Sequence, residues 1–164
     1  MFRILRLTLL AMLLSAGVPL SAGAIEFVNG TAAAMTGDTI KIGSPGHPQK
    51  TLRIWGIEAP RMGHPEEIGL YARTALDDLL YRHGPNVKCV VDSFDRRTAV
   101  CRAGDTDLGT AMLLTGWVIA DRTVLLADVP GGDSERTHRA EAYRKAEARA
   151  RSERKGRWAG MPTQ

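Results

Sequence analysis

The stretch RIWGIEAPRMG, residues 53–63, puts Arg53 at the start of a strand-like run, Glu58 at its end and Arg61 just past a proline. These side-chain types suit phosphate chemistry. A carboxylate offers oxygens to a hard cation or takes a proton from water. A guanidinium keeps its charge at any working pH and can grip two oxygens of one group at once. Two further pieces carry the same types: GDTI at 37–40, with Asp38, and DSFDRR at 92–97, with Arg96 and Arg97. The four histidines offer no alternative by spacing: His47, His83 and His138 are scattered, and His64 reads as a solvated loop residue.

The elements that must position these residues are legible in outline. Residues 25–57 are β-like, with a turn at Gly37-Asp38 and another over 43–48. The second turn separates TIKI from TLRIWGI, so those runs predict a hairpin. A helix then opens near Pro65, with Glu66 and Glu67 in the first turn where acids suit the dipole. Ile68, Tyr71, Ala72, Ala75, Leu76, Leu79 and Leu80 recur at helical spacing until Gly84-Pro85 ends them. VKCVVD and RTAVCR flank a polar turn centred near Asp95. A short helix over about 108–115 has Asp105, Thr106 and Asp107 as cap candidates and Gly116 as its stop. A short strand over 117–120 follows, then a loop with Pro130-Gly131-Gly132, and a long helix over about 134–155 ending at Gly156. Trp158 is placed to fold back on the core, and Trp55 and Trp117 read as core or strand residues. This order predicts an α+β chain, mainly β: a small five-stranded OB-type barrel with about three packed helices.

Composition narrows the setting. Residues 1–24 combine Arg3 and Arg6, a short apolar run over 7–14 and Ala22-Gly23-Ala24, the pattern of a cleaved secretory signal peptide. The run is too short to span a bilayer, so a lasting membrane anchor is not expected. Cleavage would leave one domain over 25–164, exported to the periplasm or beyond, and would lower the formal charge from +4 to +2 through loss of the two arginines. The remaining charge is uneven, since residues 134–158 hold nine Lys/Arg against four Glu. A solvated helix laced with Glu–Arg pairs explains that segment better than a nucleic-acid face. Cys89 and Cys101 are the only cysteines, and two cannot make a zinc site without histidines between them. With the hairpin centred on Asp95 they face each other across the ladder, so a disulfide is expected.

In order and spacing, the pieces resemble the staphylococcal nuclease (thermonuclease) family: GDT, then RIWGIEAP, then DSFDRR, then Gly116-Trp117, then a long helix closing Gly156-Arg157-Trp158. The likeness covers about 36–160. It implies an OB-type barrel and calcium-assisted hydrolysis of DNA and RNA phosphodiesters. Residue by residue, it implies Asp38 and Glu58 as calcium ligands, with Glu58 standing where the family has aspartate. It also implies Arg53 and Arg96 as the arginines that bind and stabilise the reacting phosphate.

The departures are as informative. The family's catalytic glutamate, directly after Ala-Pro, is Arg61 here, and arginine cannot accept a proton. The hairpin's aromatic-glycine pair is Phe94-Asp95. Aligned on Gly116, the family's nucleotide-stacking tyrosines fall on Arg122 and Val124, so a stacking platform is missing or displaced. Three readings stay open. In a working nuclease, the base role passes to Glu66 or Glu67, to Glu58, or to calcium-activated water. In a binding module, Arg53, Arg61 and Arg96 form a patch for DNA, RNA or another polyanion. In an envelope protein, the barrel is structural.

Overall fold

The computed structural model describes residues 25–61, 67–93, 95–125 and 134–160. The expected signal segment, His64, Pro65, Glu66, Phe94 and the loop at 126–133 lie outside those residues.

Period-two burial builds the sheet. Strands β1 (Glu26–Ala34), β2 (Thr39–Gly43), β3 (Lys50–Ile54), β5 (Asn86–Val91) and β6 (Thr98–Ala103) alternate inward and outward side chains. Ile40, Ile42, Leu52, Ile54, Val87, Val91 and Ala99 fill the interior. The hairpin β2–β3 forms as expected, with Thr39 opposite Arg53. Neighbours run β3-β2-β1-β5-β6, and a parallel pairing of β3 with β6, Arg53 opposite Thr98, closes the ring. The result is the five-stranded OB-type barrel that the pattern predicts, and closure leaves these strands without a free edge.

Cys89 and Cys101 are directly opposed on β5 and β6, and they form the disulfide. Both are buried in the barrel wall. Among the described residues no helix is long and apolar enough to cross a membrane.

The helices pack on the barrel. Helix α1 (Ile68–His83) buries Gly69, Ala72, Leu76, Leu79 and Leu80. Helix α2 (Leu108–Thr115) follows the two-residue strand β7 (Thr106–Asp107); Asp107 caps it by accepting from Thr110 N, and Gly116 ends it in the left-handed region. Helix α4 (Ser134–Ser152) buries Ala140, Tyr143, Ala146 and Ala150 on one face. The expected charge pairs run along it: Glu135–Arg139, Glu141–Lys145, Glu147–Arg151 and Arg149–Glu153, with Glu147 itself buried. Trp158 does not join the core as expected: it is half-buried against α4, with the Arg151 guanidinium 4.1 Å from its ring centroid.

Several boundaries differ from the sequence reading. Helix α1 begins at Ile68 and not near Pro65, so Glu67 precedes the helix instead of lying in its first turn, and α4 ends at Ser152 and not near 155. The third run does not continue to Ile57: Gly56 takes φ 72°, which turns the chain out of the barrel. A separate two-residue strand, β4 (Ile57–Glu58), then pairs with β8 (Ile119–Ala120), placing Glu58 opposite Ile119. The expected strand at 117–120 shortens to β8, because the ladder with β4 holds only two pairs. A short helix, α3 (Arg122–Leu125), follows at once and is capped by Asp121.

Candidate phosphate and cation site

The site sits where the β1–β2 turn, β3, β4 and the end of β8 meet. Gly37 lets the turn press onto α1: a Cβ there would lie 2.5 Å from Ala72 Cβ. That contact fixes Asp38, whose backbone carbonyl also accepts from Ile54 N at 2.7 Å. The Asp38 carboxylate is fully engaged. Its Oδ1 accepts from Thr36 Oγ1 at 2.7 Å and Thr39 Oγ1 at 2.9 Å. Its Oδ2 accepts from Ala59 N at 3.1 Å and Arg53 Nε at 3.3 Å.

Arg53 is the hub. Its backbone is locked into the barrel on both sides, against Thr39 and by donation to Arg97 O at 2.8 Å. Its Nη2 donates to Ile57 O at 3.2 Å and reaches Asp121 Oδ2 at 3.5 Å. Glu58 lies between the two backbone groups that complete this network, since Ile57 O takes Arg53 and Ala59 N serves Asp38. The Glu58 side chain is exposed and makes no hydrogen bond to another described residue. Of the four residues implied as ligands or phosphate arginines, Asp38 and Arg53 are in direct contact, and Glu58 is next to them in the chain, between Ile57 and Ala59, with its side chain exposed.

Arg96 is engaged elsewhere. Its Nη2 lies 2.5 Å from Glu26 Oε2 on β1, and Glu26 also holds Lys50. Those two cations, Lys50 first, hold the Glu26 carboxyl below the usual range. The turn presents Asp95 instead. The Thr98 hydroxyl and then Arg97 N hydrogen-bond this carboxylate and lower its pKa, with a smaller pull from Arg53. Arg97 is almost wholly exposed, 3.9 Å from Asp95.

The remaining candidates divide. Arg61 is exposed in the loop after β4. Glu67 is exposed at the start of α1 with φ 29° and no side-chain cap, so its carboxylate is not tied to the helix. Glu66 lies outside the described residues. Arg122 is exposed on α3, whereas Val124 packs against the core, so neither position presents an aromatic platform.

Asp121 was missed in the sequence. It is 8% exposed, and its charge faces Arg53. The signal was available: an Asp-x-Thr sequence directly after a strand is a helix-cap pattern.

The donor set at this mouth is oxygen only, which suits a hard divalent cation in kind. In number it is short of a protein cage. Among the described residues no three His, Cys, Asp or Glu side chains converge as a ready cation cluster. A calcium ion held by Asp38 and Glu58 would draw its remaining ligands from water and from a bound phosphate. In comparisons with protein-family models and with curated proteins, nothing matches this chain.

Proposed function

We propose that the chain is an exported phosphodiester hydrolase of the thermonuclease type, acting slowly on DNA or RNA with calcium. The observation that carries the reading is the direct contact of Arg53 with Asp38, with Glu58 set between their backbone partners. An arginine and two carboxylates at one barrel mouth are what a phosphate and a hard cation would need together.

In this reading Asp38 and Glu58 hold the cation and Arg53 binds the phosphate. Calcium, when bound, supplies charge stabilisation at the phosphoryl oxygens and lowers the pKa of its water. Arg61 cannot serve as base. Glu67 is the described carboxylate free to take that role, since it lies exposed at the end of the segment that follows Arg61. Arg96 contributes to phosphate binding only after leaving Glu26, which lowers turnover. Such an enzyme acts outside the reducing cytoplasm, a setting that the disulfide favours.

A second reading has its own support. Arg61 stands exposed beside the site, and Arg97 is almost fully exposed on the neighbouring turn. Without a base, these arginines with Arg53 would bind nucleic acid or another polyanion and leave it uncut. Incubating the protein with labelled single-stranded DNA and RNA, with calcium or with chelator, separates the two. Calcium-dependent fragments support the hydrolase. Intact but salt-sensitive complexes support the binding module, because phosphate contacts release counterions. Neither outcome in any lane overturns both.

A further inference from the structure

We propose that Asp121 is the positioning residue for Arg53, holding its guanidinium in place when a cation takes over Asp38; the inference rests on the hydrolase reading above. Asp121 divides its carboxylate between two tasks. Its Oδ1 accepts from Thr123 N at 3.0 Å, Thr123 Oγ1 at 2.6 Å and Val124 N at 3.4 Å. Those bonds lock the group's orientation and leave Oδ2 for Arg53 Nη2. The backbone adds a second restraint, since Asp121 N donates to Gly56 O at 2.9 Å, in the turn that releases β4.

Arg53 thus has two kinds of partner. On one side its Nε shares Asp38 Oδ2 with Ala59 N. A divalent cation held by the Asp38 carboxylate would compete for its oxygens and repel the guanidinium, so this contact would weaken. On the other side Nη2 rests on Ile57 O and Asp121, which the cation need not touch. With Nη2 still held there, Nε and the remaining Nη would be available to a phosphate. Asp121 needs the arginine in return, because a buried carboxylate without a countercharge is costly. Lacking Asp121, Arg53 would keep one carbonyl as anchor and lose its geometry when Asp38 is taken.

The test uses Asp121→Asn, which keeps an acceptor for the Thr123 and Val124 donors but puts an amide where Arg53 found a charge. The readout is the arginine Nε–H cross-peak of Arg53 in nitrogen–proton correlation spectra of the full protein, assigned by its loss in Arg53→Lys. In the wild type the peak is sharp at neutral pH and shifts on adding calcium. In Asp121→Asn it broadens into exchange, and kcat falls about tenfold to a hundredfold while KM moves less than about twofold. Thr123→Ala controls for loosening of α3; it keeps the charge facing Arg53 and should keep the peak. An unchanged peak in Asp121→Asn, or its loss in Thr123→Ala as well, overturns the positioning role. If the wild type cuts nothing, the hydrolase reading falls, and the spectra still decide whether Asp121 places Arg53.

Discussion

Tyr143 donates its hydroxyl to Asp107 Oδ1 at 3.0 Å, the same oxygen that receives Thr110 N at 2.8 Å. One carboxylate thus caps α2 and anchors α4, while Arg139 Nη1 holds its other oxygen at 3.0 Å. The phenol is fully buried, against Gly109 on one side and with its ring 5.8 Å from that of Trp55. Burial first, then the charge and hydrogen bond of Asp107, push its pKa far above the ordinary value.

The raised pKa makes the contribution of Tyr143 to stability fall at alkaline pH. Below about pH 10 both folded and unfolded chains keep the proton, and the contribution is intact. Above that value the unfolded chain releases the proton while the folded chain does not, so stability falls as pH rises. Tyr143→Phe should cost about 1 kcal/mol at neutral pH and make the alkaline decline shallower in urea titrations from pH 8 to 11. An equally steep decline in the variant would place the sensitivity elsewhere.

The close fit at Gly109 gives an independent check of helix packing. A Cβ there would lie 2.1 Å from the Tyr143 oxygen, too close to be relieved without moving α4 or breaking the bond to Asp107. Gly109→Ala should destabilise by about 1–3 kcal/mol. Most of that penalty should persist in Gly109→Ala combined with Tyr143→Phe, because the ring carbons Cζ and Cε2 would still lie 2.4 and 2.8 Å from the new Cβ; a double-mutant cycle measures it.

The disulfide closes a loop with a sequence separation of 12 residues. Replacing both cysteines with serine should lower stability by roughly 3 kcal/mol in the chain-entropy account. Intact mass after alkylation without reductant should show no added groups in the native protein. Two added groups would mean free thiols.

The barrel was largely legible because its strands alternate strictly and its turns carry glycine, proline and aspartate. Both cysteine strands, the α2 cap and the charge ladder of α4 followed from local pattern alone. The break at Gly56 was not legible. RIWGI reads as one strand, and only the pairing of Glu58 with Ile119, a contact between distant segments, shows why the chain leaves the barrel there. At the site, Asp38 and Arg53 are in direct contact, and Glu58 lies between the residues whose backbone groups bind them. The tie between Arg96 and Glu26 joins residues 70 apart and leaves no local trace. The capping role of Asp121 had a local signal, but its tie to Arg53, 68 residues away, had none.

Arg61 offers a direct test of what the site lacks. Arg61→Glu restores a proton acceptor beside Glu58 and removes a cation from the mouth. On the hydrolase account, calcium-dependent cleavage rises about a hundredfold to a thousandfold, within the range of general-base catalysis and below its upper end. Glu66→Gln and Glu67→Gln in the native background should lower the rate if either supplies the base. A rate unchanged in both variants would leave calcium-bound water or Glu58 as the remaining source.

The central claim is that Asp38, Glu58 and Arg53 form a cation-assisted phosphodiester site. The most direct measurement is the single-turnover cleavage rate of a labelled single-stranded oligonucleotide as calcium is titrated, for the wild type and for Asp38→Ala. The account predicts a wild-type rate that rises with calcium to a plateau and returns to background with chelator, and no calcium response in Asp38→Ala. Cleavage that ignores calcium, or a calcium response that survives in Asp38→Ala, would contradict it.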